Sequence, residues 1–314
     1  MRLHLKPVSD QTIVVTGATS GIGLATVRMA VAQGARVVMA ARNAQALATL
    51  AEGFHHLGRS AVAVPADVAN VQDVQRIRDA ALEAFGGFDT WVNNAGVSIF
   101  GRYEDVPLQD MRRLFETNFW GVVHGSMIAL EILRERGGAL INLGSEVSDI
   151  ALPLQGMYSA SKHAVKGFTD SLRMEVEAAG YPVSVTLIKP AAIDTPFVPH
   201  AANYMDVQPR LPSPLYAPEV VADAILYAAH QPKRDIYVGG AAKAFSASNR
   251  MMPRVMDKVS ERFMIDQQRS ERPVAHPTQA TLYHPGGGLR EMRGDSRPVH
   301  HRSLYTRLTT SIGR

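Results

Sequence analysis

The chain has 314 residues, 46% of them hydrophobic and 20% charged, with a net charge of +4. That composition suits a globular protein built as one large α/β domain with an appendage, or as two small domains. It contains no cysteine, which excludes disulfides, thiolate metal sites and cysteine nucleophiles. Residues 1–7 hold no long apolar core and no small-residue cleavage site, so no signal peptide is expected. No run of about 18 apolar residues predicts a membrane span. The charge is uneven: residues 251–314 carry eleven Lys/Arg and six Asp/Glu, a net of +5, so residues 1–250 are near −1. The basic stretch reads most simply as a solvated extension, and it leaves peripheral contact with an anionic membrane open.

A short β-branched run at residues 11–16 ends at Gly17 and predicts a buried strand. Gly17-Ala18-Thr19-Ser20-Gly21-Ile22-Gly23 follows, then an apolar-periodic helix from Leu24 to about Gln33, stopped by Gly34, then a strand at 35–41. Strand, glycine-rich turn, helix and strand make a βαβ unit with a phosphate-binding turn. Helices at 44–57, 71–85, 110–134, 156–179 and 218–229 then alternate with strands at 61–64, 89–92, 139–143, 183–188 and 235–238. Seven strands separated by helices predict an α/β fold, a doubly wound parallel sheet with helices on both faces. No linker splits residues 10–245. Residues 1–250 are therefore expected to form a single dinucleotide-binding domain, and 251–314 a basic C-terminal extension. Residues 190–217 carry six prolines and are too long for a simple connection, which marks them as a lid loop.

Ser145 follows the apolar run at 139–143. Tyr158 and Lys162 stand i, i+4 on the helix at 156–179, so their side chains share a face. A phenol titrates near about 10. An ammonium beside it favours the phenolate and brings it towards acid–base work near neutral pH. A serine hydroxyl at the end of the neighbouring strand could hold a carbonyl oxygen or alkoxide against that phenol. The three residues read as a device for moving a proton on or off an alcohol oxygen. Paired histidines at 55–56 and 300–301, and His124, have no metal-ligand partners at a diagnostic spacing, so no metal site is expected.

Taken together, Thr16-Gly17-Ala18-Thr19-Ser20-Gly21-Ile22-Gly23, Asn93-Asn94-Ala95-Gly96, Asn118, Ser145 and Tyr158-x-x-x-Lys162 closely resemble the motifs of the short-chain dehydrogenase/reductase family. The resemblance covers roughly residues 10–240. It implies a Rossmann-type fold and a nicotinamide-dependent oxidoreductase that interconverts a ketone or aldehyde and an alcohol. Asn118, Ser145, Tyr158 and Lys162 match the catalytic positions. Ser145 and Tyr158 would bind the reacting oxygen, Tyr158 would transfer the proton, Lys162 would lower the phenol pKa and hold the nicotinamide ribose, and Asn118 would fix a water beside Lys162. Gly17, Ser20, Gly21, Ile22 and Gly23 match the pyrophosphate turn, Asp67 the adenine contact, Asn94 the ribose side, and Ile193 and Thr195 the carboxamide. The resemblance also implies a homodimer or homotetramer paired through the helices at 110–134 and 156–179. With no signal peptide or membrane span expected, the location is expected to be cytoplasmic, with peripheral membrane association left open. A non-catalytic NADP(H)-binding regulator or scaffold is the alternative, since a fold does not fix a function.

Members that prefer NAD place an acidic residue at the end of the second strand. Here that position is Ala41, followed by Arg42, which can pair with a 2′-phosphate. NADP(H) is therefore expected over NAD(H). Leu152, Leu154, Met157, Phe197, Val198, Tyr204, Met205 and Leu215 are expected to wall the substrate site, which favours an apolar carbonyl or alcohol. Pro190-Ala191 stands where the family has Pro-Gly, so the alanine must avoid positive φ or accept strain. Met252, Val255, Met256, Val259 and Phe263 would share one helical face in the tail, suited to docking or to a membrane interface. Residues 268–314, rich in Arg, Pro, Gly and His, are expected to be extended or poorly ordered. Nothing in the tail supports nucleic-acid binding.

Overall fold

The computed structural model describes residues 3–274, 276–278, 280–292 and 297–311. Seven strands lie side by side: β1 (Thr12–Thr16), β2 (Arg36–Ala41), β3 (Ala61–Pro65), β4 (Thr90–Asn93), β5 (Gly138–Leu143), β6 (Val183–Pro190) and β7 (Asp235–Val238). All neighbours pair in parallel, in the order β3-β2-β1-β4-β5-β6-β7. The β-branched runs form strands because both faces are covered: every residue of β1 and of β6 is buried.

One face of the sheet packs on α1 (Gly21–Ala32), α2 (Ala44–His56) and α7 (Pro218–His230). The other packs on α3 (Val71–Phe85), α5 (Gly121–Arg136) and α6 (Gly156–Ala178). The chain runs outward from β1 to β3, then returns to place β4 on the other side of β1. That reversal opens a crevice at the carboxyl ends of β1 and β4, where α/β sheets take ligands.

The helix expected at 110–134 is two helices with a wider turn between them. α4 (Leu108–Phe115) passes into a π-helical turn, Glu116–Trp120, before α5 begins. The turn carries Asn118, and such widened turns recur at functional sites. Ala191 avoids the strain considered from the sequence: among the described residues, Leu154 and Ala280 are the non-glycines with positive φ.

After β7, α8 (Gly240–Met251) and α9 (Pro253–Val259) lead through a π-helical turn, Ser260–Met264, to a strand, Arg269–Pro273, antiparallel to Val207–Pro209. The apolar face expected to dock does not do so in this chain: Met252, Val255 and Phe263 are about half exposed. Met264 is buried instead, against Val147, Ile150, Leu152 and Phe245. The described tail beyond it runs extended along the body. Val299–His300 pairs with Leu215–Tyr216, and α10 (Leu304–Ser311) closes the chain. No helix among the described residues is long and apolar enough to cross a membrane.

Under the carboxyl ends of β4 and β5 lies a buried polar network. The Trp91 indole donates to Asn93 Oδ1 at 2.8 Å, Asn93 Nδ2 donates to Asn142 Oδ1 at 2.9 Å, and Asn142 Nδ2 donates to Thr169 Oγ1 at 3.0 Å. It links β4, β5 and α6, and a half-satisfied network is costly in a low-dielectric interior. Asn142→Ala is expected to destabilise the fold by about 1–3 kcal/mol, because it removes two buried hydrogen bonds and leaves Asn93 and Thr169 only their bonds to Ser126 and to the Val165 carbonyl. The midpoint of urea unfolding, compared at constant slope, measures this.

Candidate active site

Two motifs meet at the crevice. At the end of β1, Gly17 turns the chain at φ 69°. Gly23 sits so close to it that an added Cβ would come within 2.1 Å of the Gly17 carbonyl oxygen, so only glycine lets α1 start there. Asn94 ties the turn to β4: its Nδ2 donates to the Thr16 carbonyl at 2.8 Å, and its amide donates to Thr16 Oγ1 at 3.0 Å. Asn94 thus shapes the crevice by holding backbone.

At the end of β5, the Ser145 hydroxyl accepts from the Val147 amide at 3.3 Å, and Ser148 Oγ accepts from the Ser145 amide at 3.1 Å. This box starts a short 3-10 turn, Glu146–Ser148, and fixes the serine at the strand's end. Lys162 reaches under it from α6 and donates to the Leu143 carbonyl at 2.8 Å. Tyr158, one turn earlier, brings its ring to 5.7 Å from the Lys162 Nζ and packs edge-on against Phe197 at 5.3 Å between centroids. Asn118 Oδ1 accepts from the Val97 amide at 2.8 Å, and its Nδ2 donates to the Val97 carbonyl at 2.9 Å and to Ser161 Oγ at 3.2 Å. Its side chain braces the loop beside Lys162; the two do not hydrogen-bond to each other.

The electrostatics differ from the sequence expectation. Burial lowers the Lys162 ammonium pKa to about 8. Burial also raises the Tyr158 phenol well above its ordinary value; a hydrogen bond with Ser145 opposes the rise and the Glu146 carboxyl adds to it. Desolvation, and not the neighbouring ammonium, decides the phenol, so near neutral pH it holds its proton.

A cavity of about 210 Å3 joins the two motifs, lined by Gly17, Ser20, Gly21, Ile22 and Asn94 at one end and Ser145, Tyr158 and Lys162 at the other. Ile193 and Thr195 line its middle, and an added Cβ on Gly21 would lie 3.1 Å from the Thr195 side chain. A second cavity of about 110 Å3 continues past Gly17 and Ser20 to Arg42, Asn43 and Asp67. Such a two-part cleft over a helix N-terminus could hold a dinucleotide. Gly23 lines neither cavity and acts through packing. Among the described residues, no group of His, Cys, Asp or Glu is placed to hold a metal ion.

The tail closes the far cavity. The Arg290 carbonyl accepts from the Gly21 amide at 2.9 Å. The Arg42 guanidinium donates to the carbonyls of Thr281 at 2.5 Å and Leu282 at 3.3 Å, and Asn43 Nδ2 donates to the Gly286 carbonyl at 2.7 Å. Arg113 bonds both the Leu282 carbonyl and the Asp67 carboxylate. Residues 280–292 thus form a strap across the nucleotide end of the cleft, which the sequence does not signal.

Of the expected substrate wall, Leu152 and Phe197 line the near cavity. Val198, Met205 and Leu215 pack instead on Phe100 and Leu211, with Leu154 against them. Met157 and Tyr204 pack in a separate cluster with Ile99 and Leu114. The near cavity also receives Glu146, Gln155 and His200, which were not expected there. The charge of Glu146, directly after Ser145, was the signal available.

Residues 11–204 match the family model for short chain dehydrogenases, and the chain belongs to that family. It is 47% identical over 311 residues to the uncharacterized oxidoreductase YxnA of Bacillus subtilis, covering 98% of this chain and 87% of that one. The tail is therefore largely shared with that relative. An Arabidopsis thaliana protein named 11-beta-hydroxysteroid dehydrogenase-like 3 is 32% identical over 195 residues, 62% of either chain. The crystal structure of a short chain dehydrogenase from Burkholderia cenocepacia in complex with NADP superposes with a TM-score of 0.69 at 25% identity, covering 81% of this chain and 99% of that one. The protein is an NAD(P)-dependent dehydrogenase/reductase.

Glu146 provides a test of the site's burial. Desolvation raises its carboxyl pKa to about 7 from 4.5. A carboxyl titrating higher when folded than when unfolded withdraws stability as pH rises between those values. Glu146→Gln should therefore gain stability over wild type progressively from pH 4.5 to 7, reaching on the order of 2 kcal/mol above it. Thermal melts across that range check the sign; a difference that does not grow with pH contradicts it.

Proposed function

We propose that the protein is an NADP(H)-dependent oxidoreductase that interconverts a ketone or aldehyde and an alcohol. The observation that carries this reading is the convergence of Ser145, Tyr158 and Lys162 on a cavity that continues past the glycine turn to Arg42. Ser145, Tyr158 and Lys162 line the end of the cavity that would take the nicotinamide, and the cofactor, when bound, would supply or accept hydride. The chain's own residues do the rest. The Ser145 hydroxyl, held by the Val147 amide and hydrogen-bonded with the Tyr158 phenol, would turn its proton to a carbonyl oxygen that enters between them. The phenol of Tyr158, protonated near neutral pH, donates to the same oxygen as it becomes an alcohol. Lys162, anchored at the Leu143 carbonyl, retains two donors for a ribose hydroxyl and places its positive charge near the developing phenolate. Asn118 holds the loop that backs Lys162.

At the nucleotide end, α1 offers its first amides to a pyrophosphate. The strap takes the Gly21 amide, and no hydrogen bond among the described residues takes those of Ile22 and Gly23. Ile22, Ile193 and Thr195 bound the passage towards the nicotinamide. A guanidinium has five N–H donors. The strap carbonyls occupy part of the Arg42 fork and orient it, leaving donors for a 2′-phosphate. The carboxylate of Asp67 is neutralised by Arg113, which suits an adenine contact without repelling that phosphate. The NADP bound to the Burkholderia cenocepacia protein is consistent with this choice.

Tyr158→Phe should lower turnover by about 10²–10⁴-fold while leaving NADPH binding intact. Arg42→Ala should weaken NADPH by roughly 10–100-fold and NADH by less than about threefold. Absorbance assays on a panel of ketones and aldehydes, with titrations of both cofactors, check the pair. Equal losses for NADPH and NADH would assign Arg42 to holding the strap alone.

A further inference from the structure

The near cavity holds one charged side chain that the proton transfer does not require. Glu146 follows Ser145 directly and lines the wall that Tyr158 and Lys162 also line. Its carboxyl has no hydrogen bond and no ion pair among the described residues. Behind it lies a smaller, mostly apolar space bounded by Ile150, Leu152, Ala192, Pro214, Phe245 and Met264. The other titratable groups on the near cavity are Tyr158 and Lys162 from α6 and His200 from the lid, and the smaller space adds none.

A carboxyl in this position is costly to cover. A purely apolar ligand would strip its remaining water and give nothing in return, at a penalty typical of an unsatisfied buried polar group. A ligand that carries a hydrogen-bond donor would satisfy it. The donor is better neutral than cationic, because the Lys162 ammonium already faces the same cavity. Glu146 follows Ser145 directly in the chain and lines the same cavity as Tyr158, which sets its carboxyl beside the groups that would hold the reacting oxygen.

Resting on the oxidoreductase reading above, we infer that Glu146 is the specificity-determining residue of the substrate site, accepting a hydrogen bond from a second hydroxyl close to the reacting carbon. The substrate class is then a hydroxylated ketone or aldehyde, and its product a diol. An apolar body with one extra hydroxyl fits a wall of Leu152 and Phe197 interrupted by a single carboxyl. This narrows the apolar carbonyl or alcohol expected from the sequence to one that carries a second hydroxyl. A site built to bond a hydroxyl discriminates against the analogue that lacks it far more sharply than an apolar pocket discriminates by size.

Binding of product alcohols to the enzyme–NADPH complex tests this without turnover. The probes are phenylglycol and the phenylpropanol in which a methyl group replaces its terminal hydroxyl. Wild type is expected to bind phenylglycol at least about tenfold more tightly. Glu146→Leu should erase that preference by weakening phenylglycol and strengthening phenylpropanol. Glu146→Gln, which keeps an acceptor of the same shape, should retain part of it and serves as the control for folding. Equal affinity or no binding of either alcohol by wild type overturns the proposal, as does a preference that survives in Glu146→Leu. Failure to bind NADPH would instead overturn the oxidoreductase reading, and a direct titration of cofactor separates the two.

Discussion

The hydrogen bond from the Lys162 ammonium to the Leu143 carbonyl is the contact on which the arrangement of the site depends. The Leu143 carbonyl closes the last strand position of β5, two residues before Ser145. Lys162 lies in the second turn of α6, one turn after Tyr158. Joining them sets the axial position of α6 against β5, and so sets the phenol beside the serine. Taking an ammonium out of water is unfavourable, which is why burial lowers its pKa to about 8. The bond and the approach to the Tyr158 ring offset part of that cost. Below them, the buried Asn93, Asn142 and Thr169 amides and hydroxyl tie the same elements together. Helix and strand are thus held by a connected set of buried polar groups.

The opposite end of the cleft is governed by the same requirement with the signs reversed. A helix N-terminus presents amides that need acceptors. The chain supplies one of its own, the Arg290 carbonyl on Gly21, and the same strap sets carbonyls against Arg42, Asn43 and Arg113. Tyr283 donates to the buried Asp110 carboxylate at 2.6 Å, and Glu291 pairs with Arg28 at 2.5 Å, fixing the strap on either side. Main-chain carbonyls carry partial charges and leave room for stronger acceptors. They can therefore hold the cationic and amide donors in place without saturating them.

Much of this was legible in the sequence. The strands were marked by β-branched runs, and the helices by their period and by glycine stops. The i, i+4 spacing of Tyr158 and Lys162 placed both on one face. What the spacing does not carry is burial, and burial decides the phenol: it is raised, where a neighbouring ammonium alone would lower it. The π-helical turn at Asn118 was hidden because one extra residue in a turn barely disturbs an apolar pattern across 110–134. The strap was hidden for a different reason. Its Gly286-Gly287-Gly288 run has no period, and its position is set by carbonyls, which every residue has and no composition reports. Glu146 was visible as a charge; its meaning depends on the absence of a partner, which only three dimensions reveal.

The lid shows how reaction and recognition are divided. Ile193, Phe197 and Leu211 face the cavity, but most of the lid's other apolar side chains pack on one another. Val198, Met205, Leu211 and Leu215 pack together over Phe100, and Ala202–Asn203 adds to Ile99–Phe100 as a small parallel pair. The tail then locks the lid from outside, through Val207–Pro209 with Arg269–Pro273 and Leu215–Tyr216 with Val299–His300. A segment with its own core and paired edges is stiff, so selection among ligands has to come from fixed shape and from the few polar groups that remain inside. In the reading proposed above, residues from one strand end and one helix move the proton. Residues far along the chain, from the lid and from α8 to Met264, form the apolar enclosure in which a single carboxyl can decide what fits.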